Sequence, residues 1–328
     1  MCPGSVESPA PGSGKSVCVM DASGPLGRAL VDRLLRRGYT VHAATYCDCD
    51  CRRHPEEEEE DEDEEELFRG CSDVYKHRLK VFRADPFDYH AIADAVRGCA
   101  GVFCMFNTPQ DQDQCDEVTV ETEVRAAHNV LEACAQTETM ERVVFTSSVT
   151  AVVWNADHKQ QQQQQQQQLL DEKCWSDLAF CRKFKLWHAL AKTLSEKTAW
   201  ALAMDRGVDM VAINAGLVTG PGLTAAQPYL KGAPDMYDDG VLVTVDVDFL
   251  ADAHVAAYES PTAYGRYLCF DNVVCRPEDA VKLAQMLSPS APRSPPSDEL
   301  KVIPQRIQNK KLSKLMVEFA NGIYGELD

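Results

Sequence analysis

Between Ser16 and Ala44 the chain reads as strand, glycine turn, helix and strand, an order that leaves few folds open. Ser16–Met20 is a short apolar run, and Asp21-Ala-Ser-Gly-Pro-Leu-Gly27 follows it. Leu26, Leu30, Leu34 and Leu35 then recur at helical spacing, and Gly38 stands where a helix C-cap belongs. Thr40–Ala44 is a second apolar run. Two strands joined by a helix within about 30 residues form the opening βαβ unit of a dinucleotide-binding sheet.

The alternation continues. Lys80–Arg83, Gly101–Met105, Arg142–Thr146 and Val208–Asn214 read as strands, with helical segments near Tyr89–Arg97, Val118–Ala135 and Lys183–Arg206. The expected fold class is therefore α/β, a Rossmann doubly wound parallel sheet. From about Gly220 the pattern loosens into Pro- and Gly-rich loops, which predicts a small C-terminal substrate lobe over the carboxyl edge of the sheet. The expected division is a disordered leader over 1–14, a nucleotide-binding domain over 15–220, and the lobe with C-terminal helices over 221–328. Two inserts, at 55–66 and 156–170, interrupt the scaffold.

These inserts distort the composition. Lys and Arg number 33 against 51 Asp and Glu, a net charge of −18, but eleven consecutive carboxylates from Glu56 to Glu66 supply more than half of the surplus. Such a run repels itself and stays solvated, and the nine glutamines Gln160–Gln168 read as a loop. Drift in tolerant loops accounts for both more simply than partner binding does, because loop entropy grows slowly with length. Protein partners acting through these two segments remain the alternative. No Lys/Arg-rich face stands out, which argues against nucleic acid. No stretch approaches the roughly 18 apolar residues that span a membrane. The N-terminal residues contain no apolar run of the kind a secretory signal needs, so a cytoplasmic location is expected. The 14 Cys are spread through predicted strands and helices, as buried free thiols are.

Two constellations carry chemistry. In the turn, Gly24 and Gly27 occupy the second and third positions of a G-x-x-G-x-x-G spacing, with Pro25 and Leu26 between them. They would let a pyrophosphate approach the helix start and let that helix pack on the sheet. The first position is Asp21, a carboxylate that would repel the pyrophosphate. The second constellation is Thr146-Ser147-Ser148 at a strand end, together with His188 and Lys192 one helical turn apart. Carbonyl reduction by hydride needs an acid, a hydroxyl to hold the oxygen, and a cation. Ser148, His188 and Lys192 are residue types that suit those roles. On spacing alone, an ordinary helix-surface pair is the commoner explanation.

Several stretches resemble the plant cinnamoyl-CoA reductase and dihydroflavonol reductase group of extended short-chain dehydrogenases/reductases. They are Val124–Cys134, Arg142–Ser148, Cys174–Leu178, Lys192–Trp200, Gly207–Val211 and Gly265–Cys269. The resemblance implies NADP as cofactor, with NAD as the alternative. It also implies a phenylpropanoid substrate, a hydroxycinnamoyl-CoA thioester or related carbonyl, on routes to lignin and defence phenolics. By the same resemblance the catalytic serine falls at Ser148, with Ser147 as a near alternative, and the catalytic lysine falls at Lys192. Asp85 is implied near the adenine, and Ala215, Gly216, Leu217 and Val218 along the nicotinamide, with Ala215 where a proline is usual.

Three positions depart from the group. The catalytic tyrosine falls at His188, the arginine for the 2′-phosphate at Cys47, and the first glycine at Asp21. Without the arginine the 2′-phosphate loses a charge-assisted partner, for which Arg52 and Arg53 are the nearby substitutes. An imidazole is shorter than a phenol, and Lys192 beside it opposes its protonation. Weakened hydride chemistry is the expectation, and a catalytically inactive binding or regulatory protein on the same fold is the rival. Cys47, Cys49 and Cys51 with His54 invite a metal reading, but C-x-C-x-C lacks the usual zinc spacing and no metal site is assigned. Phe249 stands where the group carries Asp, and a weaker helix cap is expected there.

Overall fold

A computed structural model describes residues 12–45, 73–106, 116–155, 169–288, 290 and 302–325. Cys47, Arg52, Arg53, the Cys/His cluster, the acidic run and the glutamine tract lie outside the described residues. The opening unit forms as expected. Strand β1 (Ser16–Met20) leads through the turn into helix α1 (Pro25–Arg36), and β2 (Thr40–Thr45) returns parallel to β1. Leu30, Leu34 and Leu35 are fully buried, and Gly38 closes the helix at φ +96°, a conformation open to glycine.

Among the described residues one sheet has seven strands in the order β3-β2-β1-β4-β5-β6-β9, every neighbouring pair parallel. The remaining strands are β3 (Leu79–Arg83), β4 (Gly101–Cys104), β5 (Arg142–Ser148), β6 (Met210–Ala215) and β9 (Gly265–Cys269). All six residues of β6 are buried, the signature of a strand covered on both faces. One face carries α1, α8 (Val247–Glu259) and α10 (Lys310–Gly325). The other carries α2 (Tyr89–Val96), α3 (Glu117–Ala135) and α6 (Trp187–Arg206). The strand order reverses direction between β1 and β4, and in such sheets ligands bind beyond the carboxyl ends at that point.

A second core gathers Trp154, Leu186, Tyr229, Met236, Leu242 and Phe270. Around it lie helices α4 (Thr150–Val153), α5 (Leu178–Lys183), α7 (Ala233–Asp238) and α9 (Pro277–Leu287). A three-stranded sheet completes this lobe, with β8 (Val243–Asp246) between β7 (Leu217–Thr219) and β10 (Asn272–Val273). The chain beyond Gly220 thus serves both units, because β9, α8 and α10 return to the main sheet.

Two local expectations change. The helix predicted from Lys183 to Arg206 starts later, at Trp187, and a separate short helix, α5, ends at Lys183. Lys185 takes φ +53°, and the Leu186 amide reaches back to the Cys181 carbonyl at 2.9 Å, closing α5 before α6 starts at Trp187. Phe249 does not leave α8 poorly capped, since Asp246 accepts from the amides of Asp248 and Phe249. Cys18, Cys99, Cys104, Cys134, Cys181 and Cys269 are buried free thiols, and burial pushes the Cys99 thiol up to about 12. No helix among the described residues is long and apolar enough to cross a membrane.

Candidate active site

The turn after β1 is shaped by what a side chain would strike. A Cβ on Gly27 would stand 2.3 Å from the Asp21 carbonyl oxygen and 2.7 Å from the Ala22 Cα, so only glycine lets α1 approach the strand end. Asp21 itself adopts φ +54°, the left-handed region that its short polar side chain tolerates better than most. Its Oδ2 lies 3.4 Å from the position a Gly24 Cβ would take, so the carboxylate leans over the mouth of α1. Ser23 Oγ donates to Oδ1 at 3.4 Å. Burial raises the Asp21 carboxyl to about 6, against the pull of the Ser23 hydroxyl and the Lys192 ammonium.

Opposite the turn, α6 starts at Trp187, which puts His188 in its first helical turn and Lys192 one turn further on. His188 Nδ1 is shut off from solvent and has no hydrogen-bond partner. Burial, and next the Lys192 charge, lower the imidazole to about 3. The positive end of the α6 dipole acts in the same direction. The ring stands edge-on to Tyr229, with centroids 6.3 Å apart. The Tyr229 hydroxyl cannot take over as acid, since it donates to the Val243 carbonyl at 3.2 Å and burial raises its pKa.

Lys192 is buried and paired. Its Nζ lies 2.9 Å from Glu123 Oε1 on α3, and Ser195 Oγ donates to the same oxygen at 3.1 Å. The two serines at the end of β5 divide their work. Ser147 Oγ donates to Glu196 Oε2 at 2.7 Å. Glu196 is fully buried and also accepts from Asn214 Nδ2 at 2.7 Å, Arg266 Nε at 2.7 Å and Trp200 Nε1 at 3.3 Å. Arg266 stacks on Trp175 at 3.6 Å, which ties β5, β6, β9 and α6 into one block. Ser148 Oγ instead accepts from the Thr150 amide at 3.2 Å and from Thr150 Oγ1 at 3.0 Å, leaving its own proton to donate elsewhere.

These groups face one cavity of about 250 Å³. Asp21, Gly24, Pro25, Leu26 and Gly27 line one wall, and Ser148, His188 and Lys192 the other. Ala215, Gly216, Leu217 and Val218, which run on from the end of β6, also line the cavity. At Gly216 a Cβ would meet the Val243 carbonyl oxygen at 3.0 Å, so the loop packs closely on β8 there. Asp85 is not among the lining residues. It is exposed beyond β3 and caps its own turn, accepting from the Phe87 amide at 2.8 Å. Cys47 lies outside the described residues.

Sequence reasoning missed Met105, Phe106 and Tyr229 in the lining, and the buried carboxylates Glu123 and Glu196 behind it. Met105 and Phe106 follow the β4 run directly, and that adjacency was the available clue. For Glu123 and Glu196 there was none, since their partners come from distant segments.

A doubly wound sheet with a glycine turn facing a serine, an imidazole and a lysine defines a dinucleotide-fold oxidoreductase site. Residues 17–235 match the NAD dependent epimerase/dehydratase family, and the chain belongs to that family. It is 35% identical over 318 residues to cinnamoyl-CoA reductase 1 of Petunia hybrida, covering 94% of this chain and 88% of that protein. To dihydroflavonol 4-reductase of Zea mays it is 32% identical over 325 residues, covering 93% and 84%. Vestitone reductase from alfalfa shares the fold, with a TM-score of 0.65, 24% identity, and coverage of 92% of this chain and 91% of that one. A yeast methylglyoxal/isovaleraldehyde reductase complexed with NADPH superposes with a TM-score of 0.63 at 18% identity, covering 92% of each chain. The resemblance to plant reductases seen in the sequence thus holds over most of the chain, and the nicotinamide dinucleotide expected as cofactor is the one this family depends on.

Proposed function

We propose that the protein is an NADP-dependent reductase of a phenylpropanoid-type carbonyl or CoA thioester, acting in the cytoplasm on routes to lignin or defence phenolics. Its hydride chemistry is weakened at the proton-donating step. The observation that carries this reading is the convergence of Ser148, His188, Lys192 and the 215–218 loop on one cavity facing the Gly24–Gly27 turn. Gly27 lets the α1 mouth, where a pyrophosphate would dock, close on the end of β1, and Gly24 and Gly216 line the cavity. When bound, the nicotinamide supplies the hydride.

The chain's own residues do the rest. Ser148, already accepting two hydrogen bonds from Thr150, turns its proton toward the substrate oxygen and holds it. Glu123 at 2.9 Å keeps the Lys192 ammonium in place, and that ammonium would hold the nicotinamide ribose when the cofactor is bound. His188 can donate a hydrogen bond from a neutral ring, as an electrophile does. With its pKa lowered to about 3 it carries no imidazolium proton near neutrality, and the developing alkoxide lacks a matched acid.

That same neutral ring favours a second reading, a dinucleotide-fold protein that binds without turning over. Turnover of a hydroxycinnamoyl-CoA by wild type and His188→Tyr separates the two. The reductase reading expects measurable wild-type turnover and a gain of about a hundredfold in the variant, the usual worth of a general acid. No turnover in either protein, with NADPH shown to bind, would leave only the binding role. A thermal shift with NADPH at 100 times its dissociation constant, about 2.7 kcal/mol of stabilisation, supplies that check.

A further inference from the structure

The turn at the end of β1 combines a shape suited to an anion with a charge that opposes one. Gly27 lets α1 close on the strand, and the α1 mouth presents the positive end of a helix dipole. Asp21 lines the cavity at that mouth, and its Oδ2 lies over Gly24, where a phosphate oxygen would approach. An ionised carboxylate and a pyrophosphate cannot share this partly desolvated spot without strong repulsion, whereas a carboxylic acid can donate to a phosphate oxygen.

We propose that Asp21 must take up a proton for a dinucleotide to bind, so that this site loads its cofactor together with one proton and holds it more tightly as the pH falls. The inference rests on the cofactor assignment of the preceding subsection. The raised pKa of Asp21, about 6, puts the coupling within reach of ordinary pH. Among the described residues, the other ionisable groups lining the cavity with Asp21 are His188, Lys192 and Tyr229, the last with its hydroxyl donated to the Val243 carbonyl. The first turn of α1 offers Pro25, Leu26 and Gly27, the end of β4 offers Met105 and Phe106, and the end of β5 offers the Ser147 and Ser148 hydroxyls. From α6 come His188, kept neutral by burial, and Lys192, whose ammonium is shared with Glu123 of α3. Lys192 lies near enough to draw the carboxyl down, and burial outweighs it.

The test is the dissociation constant of NADPH, read by its fluorescence from pH 5.5 to 8, for wild type, Asp21→Asn and Asp21→Gly. Asparagine tolerates the left-handed backbone and glycine adopts it freely, so one of the two variants is expected to fold even if the other does not. Taking the difference between wild type and variant cancels the titration of the 2′-phosphate itself. The expected result is wild-type binding that weakens about tenfold per pH unit above 6 relative to the variants, reaching about a hundredfold at pH 8. Calorimetry in two buffers of different ionisation enthalpy should show about one more proton taken up by wild type than by the variants at pH 7.5. A wild-type dissociation constant that tracks the variants across the range overturns the proposal and leaves the cofactor assignment standing. No binding by any of the three at any pH overturns both.

Discussion

The two walls of the cavity depart from the expected pattern in different ways. The turn wall keeps its backbone shape, with α1 seated against the strand end through Gly27, and changes its charge by setting a carboxylate in a glycine's place. The wall formed by β5 and α6 keeps its serine, its lysine and the buried block behind them, and sets a neutral imidazole at the position proposed to donate a proton. Shape in this fold resides in close packing that a single methyl group would disturb. Chemistry resides in a few charges that can change while the packing stays. The most forceful way to break the comparison is therefore to attack the block that carries no chemistry. Glu196→Ala leaves Arg266 buried without its carboxylate and Ser147 without its acceptor, and leaves Asn214 Nδ2 only the Ser148 carbonyl at 3.3 Å. Losing one partner of a buried ion pair typically costs about 3–5 kcal/mol. Urea titration is expected to show a loss of that size, and a loss below about 1 kcal/mol would mean that the block does not hold the wall together.

The next effect concerns pH and a histidine that faces away from the reaction. His254 on α8 is fully buried, with Nδ1 donating to the Leu250 carbonyl and Nε2 accepting from Thr146 Oγ1, each at 2.7 Å. Burial lowers it to about 4, and in the unfolded chain it returns to about 6.5. The unfolded state then binds more protons between those values, so stability is complete above pH 6.5 and is lost as the pH falls toward 4. Over that window His254 accounts for roughly 3 kcal/mol. Asp21 works in the opposite sense. Its raised carboxyl stabilises the folded state below the ordinary carboxylate range, and that contribution is lost as the pH rises through 6. His254→Gln is expected to flatten the acid limb of a pH–stability curve. An unchanged limb would show that His254 is not what drives acid unfolding.

Gly27→Ala comes third. A Cβ 2.3 Å from a backbone oxygen must push α1 outward, and overpacking of this kind costs about 1–3 kcal/mol. The same shift opens the turn, so NADPH binding should fall with stability, whereas Glu196→Ala should cost stability first. If Gly27→Ala binds NADPH as wild type does, the turn wall does not hold the dinucleotide.

What could be read from the sequence follows the same division. The βαβ head, the alternation of strands and helices as far as β6, and Gly24, Gly27, His188 and Lys192 on the two walls were legible because each is a local pattern: apolar runs, glycines at a fixed offset, polar groups at i and i+4. The break between α5 and α6 was not, because Lys185 enters the left-handed region through a closing bond from Leu186 to Cys181 rather than through a glycine or proline. Glu123 and Glu196 were hidden for another reason. Nothing in a helix sequence distinguishes a carboxylate facing water from one buried against Lys192 or Arg266, which the fold brings from 69 and 70 residues away. Asp85 carries the residue type expected near the adenine, and it stands exposed after β3 with one oxygen accepting from the Phe87 amide.

The smallest effect on stability, that of Ser148→Ala, belongs to the sharpest division within one wall. Ser147 and Ser148 are neighbours with the same hydroxyl, both buried at the end of β5 and both lining the cavity. Ser147 donates inward to Glu196, and Ser148 accepts from Thr150 with its proton unspent. Ser147→Ala removes a hydrogen bond to a buried charge and is expected to cost about 1.5–3 kcal/mol while leaving NADPH affinity in place. Ser148→Ala removes an acceptor from Thr150, whose amide is the group left wanting, and is expected to cost about 1 kcal/mol. Its larger consequence lies in turnover. In the His188→Tyr background, where proton donation is restored, loss of the hydroxyl that holds the substrate oxygen should lower kcat by about a hundredfold or more. Equal kinetic losses from the two alanines would make the serines a single structural unit, and a larger loss at Ser147 would move the oxygen-holding role one residue back along β5.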